Sequence, residues 1–400
     1  MKVLYIMPWF TRQSSAASKH CKIFLSNAIS LGINPIVVSL NGKDDFKENH
    51  DYLPIKDYSN KYVAALFRRL FPDIVNVPDV YNYGTIQMGV KNILKKINFE
   101  EIEFIHTVSF PCSSHLMGYE LAKKTGKPWI AQFYDPWTDN PYRKIDTTFF
   151  RKKDAALERF IAENASAIIH TNDVIKEIWR GRYGENVAKK MFVQPMSYEN
   201  EVYSNVRNIP ERTDKPKVTI SYIGKLFFDR NLDDIINAIK ILRDKGVDIQ
   251  NKITLKVIGE ATSHDITNIK NSGLEKVVKV VGYLPQHQLK QYYIDSDAFL
   301  VIDSPQSKNV FFPSKLLDYF LYKRLIIGIT PEVGVTSELI KKSSNIKFEN
   351  GQCVALADYL LKLINDHSLL DSFDKDFYEN FSPMSLQKTY KSIINYICQH

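Results

Sequence analysis

The chain has 400 residues, too many for one typical hydrophobic core, so two domains are expected. Apolar residues make up 44% and charged residues 24%, the balance of a soluble globular protein, and no apolar run is long enough to span a membrane. A net charge of +8 suits an anionic partner (a sugar nucleotide, a membrane surface or nucleic acid), and without a recognition-helix pattern, zinc knuckle or arginine-rich tract nucleic acid ranks last.

The start, Met1-Lys2-Val3-Leu4-Tyr5-Ile6-Met7-Pro8, turns polar too soon for a signal peptide and reads as a first strand. Further strand-like runs follow at 35–40, 104–107, 128–133, 167–170 and 191–194, with helical patterns at 19–31, 83–96, 113–124 and 148–164 between them. Residues 62–71 mix aromatics with Arg68 and Arg69. They read either as a basic amphipathic helix on an anionic membrane face or as a core helix whose arginines face water. The stretch 197–216 is polar, carries Pro210 and Pro216 and has no period, so it is the expected linker between a domain at 1–196 and one at 217–384. The second half offers strands at 218–223, 253–258, 277–281, 298–302 and 325–329, and helices at 232–244, 286–293 and 314–322. A last helical stretch, 385–398, is expected to fold back on the first domain. Near-continuous apolar strands alternating with helices mean an α/β fold: two doubly wound parallel sheets, facing each other across a cleft. In such sheets ligands bind beyond the carboxyl ends of the strands. Cys21, Cys112, Cys353 and Cys398 have no metal-ligand spacing and read as reduced thiols of a cytosolic protein.

The stretch Phe311-Phe312-Pro313-Ser314-Lys315-Leu316-Leu317-Asp318-Tyr319 places small and cationic residues at a helix start and a carboxylate one turn in. Backbone N–H groups there, with Lys315, suit a phosphate, and Asp318 shares a face with Ser314 and could accept from ribose hydroxyls. The same residues also read as an ordinary buried helix with Leu316, Leu317, Phe320 and Leu321 as its core stripe. In Ile223-Gly224-Lys225-Leu226-Phe227-Phe228-Asp229-Arg230-Asn231-Leu232, a glycine closes a strand and two cations flank a short loop. Lys225 and Arg230 could both reach a diphosphate, although a merely solvated loop has the same composition. Val281-Gly282-Tyr283-Leu284-Pro285 lets a ligand approach the backbone, so that a base could bond Tyr283; Val257-Ile258-Gly259-Glu260 is a weaker version.

Taken in order, these three segments resemble family 4 glycosyltransferases of the GT-B fold, bacterial enzymes that build surface polysaccharide and lipid-linked glycans. The resemblance is strongest over 218–331. It implies two Rossmann-like domains and a nucleoside-diphosphate sugar as donor. Gly224, Tyr283, Phe312 and Pro313 would line the donor site. Lys225, Arg230 and the backbone of Ser314 and Lys315 would hold the diphosphate, with Asp318 in place of the family's ribose-binding glutamate. The family's other glutamate, which often touches the donor sugar, falls on Val310. Retention of anomeric configuration is implied, with positioning and charge stabilisation doing the catalytic work of a metal. No cofactor and no metal are expected.

The first half is then the acceptor side. Gln13-Ser14-Ser15-Ala16-Ala17-Ser18 stands where relatives carry a glycine-rich loop, so Ser15 and Ala16 are acceptor candidates, or simply a polar helix start. His106 ends one strand, as an acceptor contact or a packed histidine. The next ends in Tyr134-Asp135-Pro136-Trp137, where Asp135 is the candidate to orient or deprotonate the acceptor hydroxyl. Trp137 is a candidate platform under a sugar ring. The resulting expectation is a metal-independent hexosyltransferase, catalytic through Asp135, Lys225 and Arg230, working in the cytoplasm at the inner face of the cell membrane. Its partners would be a nucleotide sugar and a glycan or lipid-linked glycan. The rival readings are a catalytically impaired scaffold, favoured by Val310, and a nucleotide-sugar epimerase. A phosphorylase lacks sequence support, and without Gly-x-Gly-x-x-Gly a dinucleotide oxidoreductase ranks lower.

Overall fold

The computed structural model describes residues 1–399 apart from 13–14, 41, 58–82, 110, 141–147, 207–211, 214, 227–228 and 306–308. The membrane-contact candidate 62–71 therefore lies outside the described residues, as do Gln13, Ser14, Phe227 and Phe228. Two compact units form, one from Met1–Asn200 with Phe381–His400 and the other from Glu201–Asn380.

The first unit is built on a seven-stranded sheet of order β3-β2-β1-β4-β5-β6-β7. Its strands are β1 (Lys2–Ile6), β2 (Asn34–Leu40), β3 (Asp51–Ile55), β4 (Ile102–Val108), β5 (Trp129–Phe133), β6 (Ala167–His170) and β7 (Met191–Val193). Every pairing is parallel. The central strands β5 and β6 are buried along their whole length, which is why they read as unbroken apolar runs. The edge strand β3 has no such run and carries Pro54, tolerated because an edge strand leaves one side unpaired.

The second unit has a six-stranded parallel sheet of order β10-β9-β8-β11-β12-β13. Here β8 is Val218–Ile223, β9 Ile253–Ile258, β10 Val278–Gly282, β11 Ala298–Ile302, β12 Leu325–Ile329 and β13 Ile346–Phe348. Its core runs from Ile220 and Leu255 through Leu300 and Ile327 to the helix Asp233–Asp244 (Ile235, Ile236, Ile239) and the helix Cys353–Asn365 (Leu356, Leu360, Leu363). Two doubly wound α/β domains are thus what the sequence pattern led one to expect. The expected linker contains a helix, Asn200–Val206.

The terminal helix Pro383–Gln399 belongs to the first unit. Gln387 donates to Asn27 Oδ1 at 3.0 Å, and the Tyr390 hydroxyl lies 3.0 Å from that of Tyr5 on β1. Among the described residues no helix is long and apolar enough to cross a membrane.

Candidate active site

The carboxyl ends of the second unit's strands carry a ledge of bare backbone. Gly224 follows β8, Gly259 follows β9 and Gly282 ends β10, all at positive φ. Gly224 N donates to Ile258 O at 2.8 Å and Gly259 N to Gly282 O at 2.8 Å, so the chain turns pack side by side. The approach is close enough to demand glycine: a Cβ on Gly259 would stand 2.0 Å from the Gly224 carbonyl oxygen. A Cβ on Gly224 would reach to 3.3 Å from Lys315 Nζ.

Lys315 begins the helix Lys315–Leu321, whose N-cap is the exposed Ser314. The helix has only seven residues, so the charges around it matter more than its dipole. Lys315 Nζ donates to the Tyr222 hydroxyl at 2.8 Å and sits 4.1 Å from the centre of that ring. Tyr222 in turn donates to Lys225 O at 3.1 Å. Burial and, after it, the nearby Arg230 guanidinium together pull the Lys315 ammonium down to about 7 against the opposing effect of Asp303. Asp303 follows β11, is 1% exposed, and is pushed upward by burial while Thr336, Arg230, Asn309 and Lys315 oppose the shift. Arg230, Lys315 and the buried Asp303 carboxyl therefore lie within electrostatic reach of one another beside the glycine ledge.

The remaining donor candidates divide. Phe312 is buried and Pro313 half-buried, supporting the helix start. Asp318 accepts from the Tyr293 hydroxyl at 3.3 Å and stays partly exposed. Tyr283 is 75% exposed, beyond the ledge. Lys225 is exposed and ion-paired with Glu260, so its charge has a partner that a diphosphate would displace. Val310 is 4% exposed and packs inward. The tie that locks this helix in place is Tyr319, whose hydroxyl accepts from Ile223 N at 2.9 Å and whose ring stacks on Phe299.

In the first unit two expectations are corrected. His106 is fully buried, with Nδ1 2.8 Å from the Tyr390 hydroxyl and Nε2 2.9 Å from Gln132 Oε1. Burial drives it down to about 3, so it is a neutral core histidine with both nitrogens engaged and cannot touch an acceptor. Trp137 is also 0% exposed; a ring with no open face cannot serve as a sugar platform. Ser15 is the N-cap of the helix Ala16–Ser30 without a side-chain capping bond, and Ala16 is exposed.

Asp135 keeps partial exposure just past β5, and desolvation raises it to about 6. The loop after it is fixed by the buried Glu158, which accepts from Thr138 N at 2.8 Å and from Arg182 Nη1 at 2.7 Å, while Arg182 Nη2 reaches Asp139 at 2.5 Å. His20 faces the neighbouring Tyr134 ring at 5.9 Å and is lowered by burial to about 4. Sequence reasoning missed Glu158, Arg182 and His20, which lie far from Asp135 in the chain. It also missed Tyr222 and Asp303. The signals for those two were present: Tyr222 stands two residues before Gly224, hence on the same strand face, and Asp303 directly ends an apolar run.

Residues 205–380 match the family model described as glycosyl transferases group 1. The match spans nearly the whole of the second unit, Glu201–Asn380. No curated protein matches the chain in sequence. Solved structures match in fold across both units. HepE of Anabaena in complex with UDP has a TM-score of 0.66 at 12% identity, covering 99% of this chain and 100% of that one. A glycosyltransferase from Rickettsia africae gives 0.66 at 15% identity, covering 100% and 99%. The lipopolysaccharide outer core galactosyltransferase WaaB in its apo form gives 0.64 at 15%, covering 99% of each chain. The expected glycosyltransferase fold with two Rossmann-like domains is thereby met, and Gly224, Arg230, Asp303 and Lys315 all lie inside the matched transferase domain.

Proposed function

We propose that the protein is a retaining, family 4-type glycosyltransferase that moves a sugar from a nucleoside-diphosphate sugar to a glycan or lipid-linked glycan in surface polysaccharide synthesis, at the cytoplasmic side of the membrane. The observation that carries this reading is the meeting of Arg230 and Lys315 beside the Gly224–Gly259 ledge, inside the transferase domain. Such a pocket receives a diphosphate: the backbone allows close approach, and two cations balance the charge that builds on the leaving group. Lys225 joins them by exchanging Glu260 for phosphate, while Asp318 takes ribose hydroxyls and the Tyr283 backbone takes the base. Asp135, poised between its charged and neutral forms near neutrality, orients the acceptor hydroxyl and accepts its proton late. The neighbours support the choice of ligands, since HepE is seen with UDP-glucose and WaaB is described as a lipopolysaccharide outer core galactosyltransferase.

The test is a panel of nucleotide sugars scored first by thermal stabilisation and then by transfer to glycan acceptors. Stabilisation by one sugar nucleotide, with turnover that persists in EDTA, is expected. A chain that binds none of them is the impaired scaffold that Val310 favours, and interconversion of the donor without an acceptor would mean an epimerase.

A further inference from the structure

The reading above leaves the donor sugar without a carboxylate, because Val310 packs into the core at 4% exposure. The structure assigns that contact to Asp303 and Ser304: these residues accept hydrogen bonds from the hydroxyls of the transferred sugar and so set which sugar the site takes. This rests on the proposed donor site and adds a sugar pocket to it.

Three observations carry it. First, Asp303 Oδ2 and Ser304 Oγ are buried and, among the described residues, complete no well-formed hydrogen bond, although Thr336 and Asn309 lie near enough to act on the Asp303 carboxyl. Their residues are only 1% and 3% exposed. Folded proteins meet nearly all such needs, so adjacent unmet oxygens at one strand end point to a ligand that completes them. Second, both follow β11, whose carboxyl end is where sheets of this kind bind ligands. Asp303 N continues the ladder to Ile329 O at 2.9 Å, which holds the pair rigidly on the sheet rather than on a loose loop. Third, Asp303 lies within electrostatic reach of Arg230, Lys315 and Tyr222, so it stands beside the diphosphate grip. In a sugar nucleotide the sugar is bonded to that diphosphate. Burial raises this carboxyl, and Thr336, Arg230 and Asn309 work against that shift, toward its charged, accepting form. A site built to bond a hydroxyl discriminates strongly against a sugar that lacks it or turns it away.

The pair makes a prediction with two signs. Removing a negative charge from beside the cations should leave binding of a bare nucleoside diphosphate unchanged or slightly stronger, while the sugar nucleotide binds more weakly. The experiment takes UDP-glucose, UDP-galactose, UDP-N-acetylglucosamine and GDP-mannose, selects the one that stabilises the protein most, and measures its affinity and that of its bare diphosphate by calorimetry. Wild type, Asp303→Asn and Ser304→Ala are compared. The expected result is a loss of roughly tenfold or more in sugar-nucleotide affinity for Asp303→Asn, a smaller loss for Ser304→Ala, and retained diphosphate affinity, which also reports that the domain is folded. Parallel weakening of both ligands would make Asp303 a support for the cations and overturn the inference. So would unchanged affinities, or a wild type that binds the sugar nucleotide no better than the diphosphate. If no nucleotide binds at all, the donor reading falls and this inference with it.

Discussion

The carboxyl ends of the two sheets use polar residues in opposite ways. In the first unit two buried histidines lean on neighbouring side chains: His106 is clamped between Tyr390 and Gln132, and His115 Nδ1 lies 2.7 Å from the Thr107 hydroxyl. In the second unit Lys315 is bonded to a tyrosine hydroxyl rather than to a carboxylate, it lies close to Arg230, and the backbone beneath is glycine. The contrast teaches that a histidine or tryptophan at a strand end is core whenever a packed helix supplies its partners. Cations gathered around a single buried carboxyl mark a place that waits for an anion.

If that contrast is correct, substitutions in the second unit should strike binding and chemistry, and those in the first unit's closed network should strike stability alone. The largest effect is expected for Arg230→Ala, a fall in turnover of about 10²–10³-fold, because one charge-stabilising donor of the leaving group is gone. Steady-state kinetics with the preferred donor checks this, and near wild-type rates would remove Arg230 from the site.

Asp135 is the exception within the first unit and should cost about 10²-fold in turnover as Asp135→Asn. With its carboxyl raised to about 6, the wild-type rate should climb through that pH as the carboxylate forms and then level off. The asparagine variant should lack this limb. A profile unchanged by the substitution would place Asp135 outside the chemistry.

A smaller effect, roughly tenfold in diphosphate affinity, is expected for Lys315→Met. Its signature is a proton. With the ammonium lowered to about 7 in the empty site, it is charged below that pH and largely neutral above it. A diphosphate favours the charged form, so binding takes up a proton above neutrality and none well below it. Calorimetry in two buffers of different ionisation enthalpy, at about pH 8.5, should give an uptake near one proton that Lys315→Met abolishes.

The smallest kinetic effect belongs to Tyr390→Phe. It strips the partner from a buried His106 nitrogen and from the Tyr5 hydroxyl, so chemical denaturation should report a loss of about 1–3 kcal/mol with turnover unchanged. A comparable fall in kcat would mean that this network serves the reaction after all.

The fold was readable because buried parallel strands announce themselves as apolar runs; β6, β8, β9, β11 and β12 match the expected spans. The missed strands are the edges β3 and β13, one carrying Pro54 and the other only three residues long, where the pattern is weakest. The positions of the glycines after β8 and β9 and of the helix start at Ser314 and Lys315 were readable from their spacing. Burial was not. A sequence does not say that Tyr390, far along the chain, returns to seal His106, or that Trp137 is sealed from solvent. Nor does it show that Lys225 is already paired with Glu260.

The most direct test of the central claim is a crystal structure of the protein with the nucleoside diphosphate that stabilises it most. The account predicts the β-phosphate within hydrogen-bond distance of Arg230 and Lys315, above Gly224, with Lys225 turned away from Glu260. A diphosphate seated elsewhere, with Lys315 still on Tyr222 and Arg230 untouched, would contradict it.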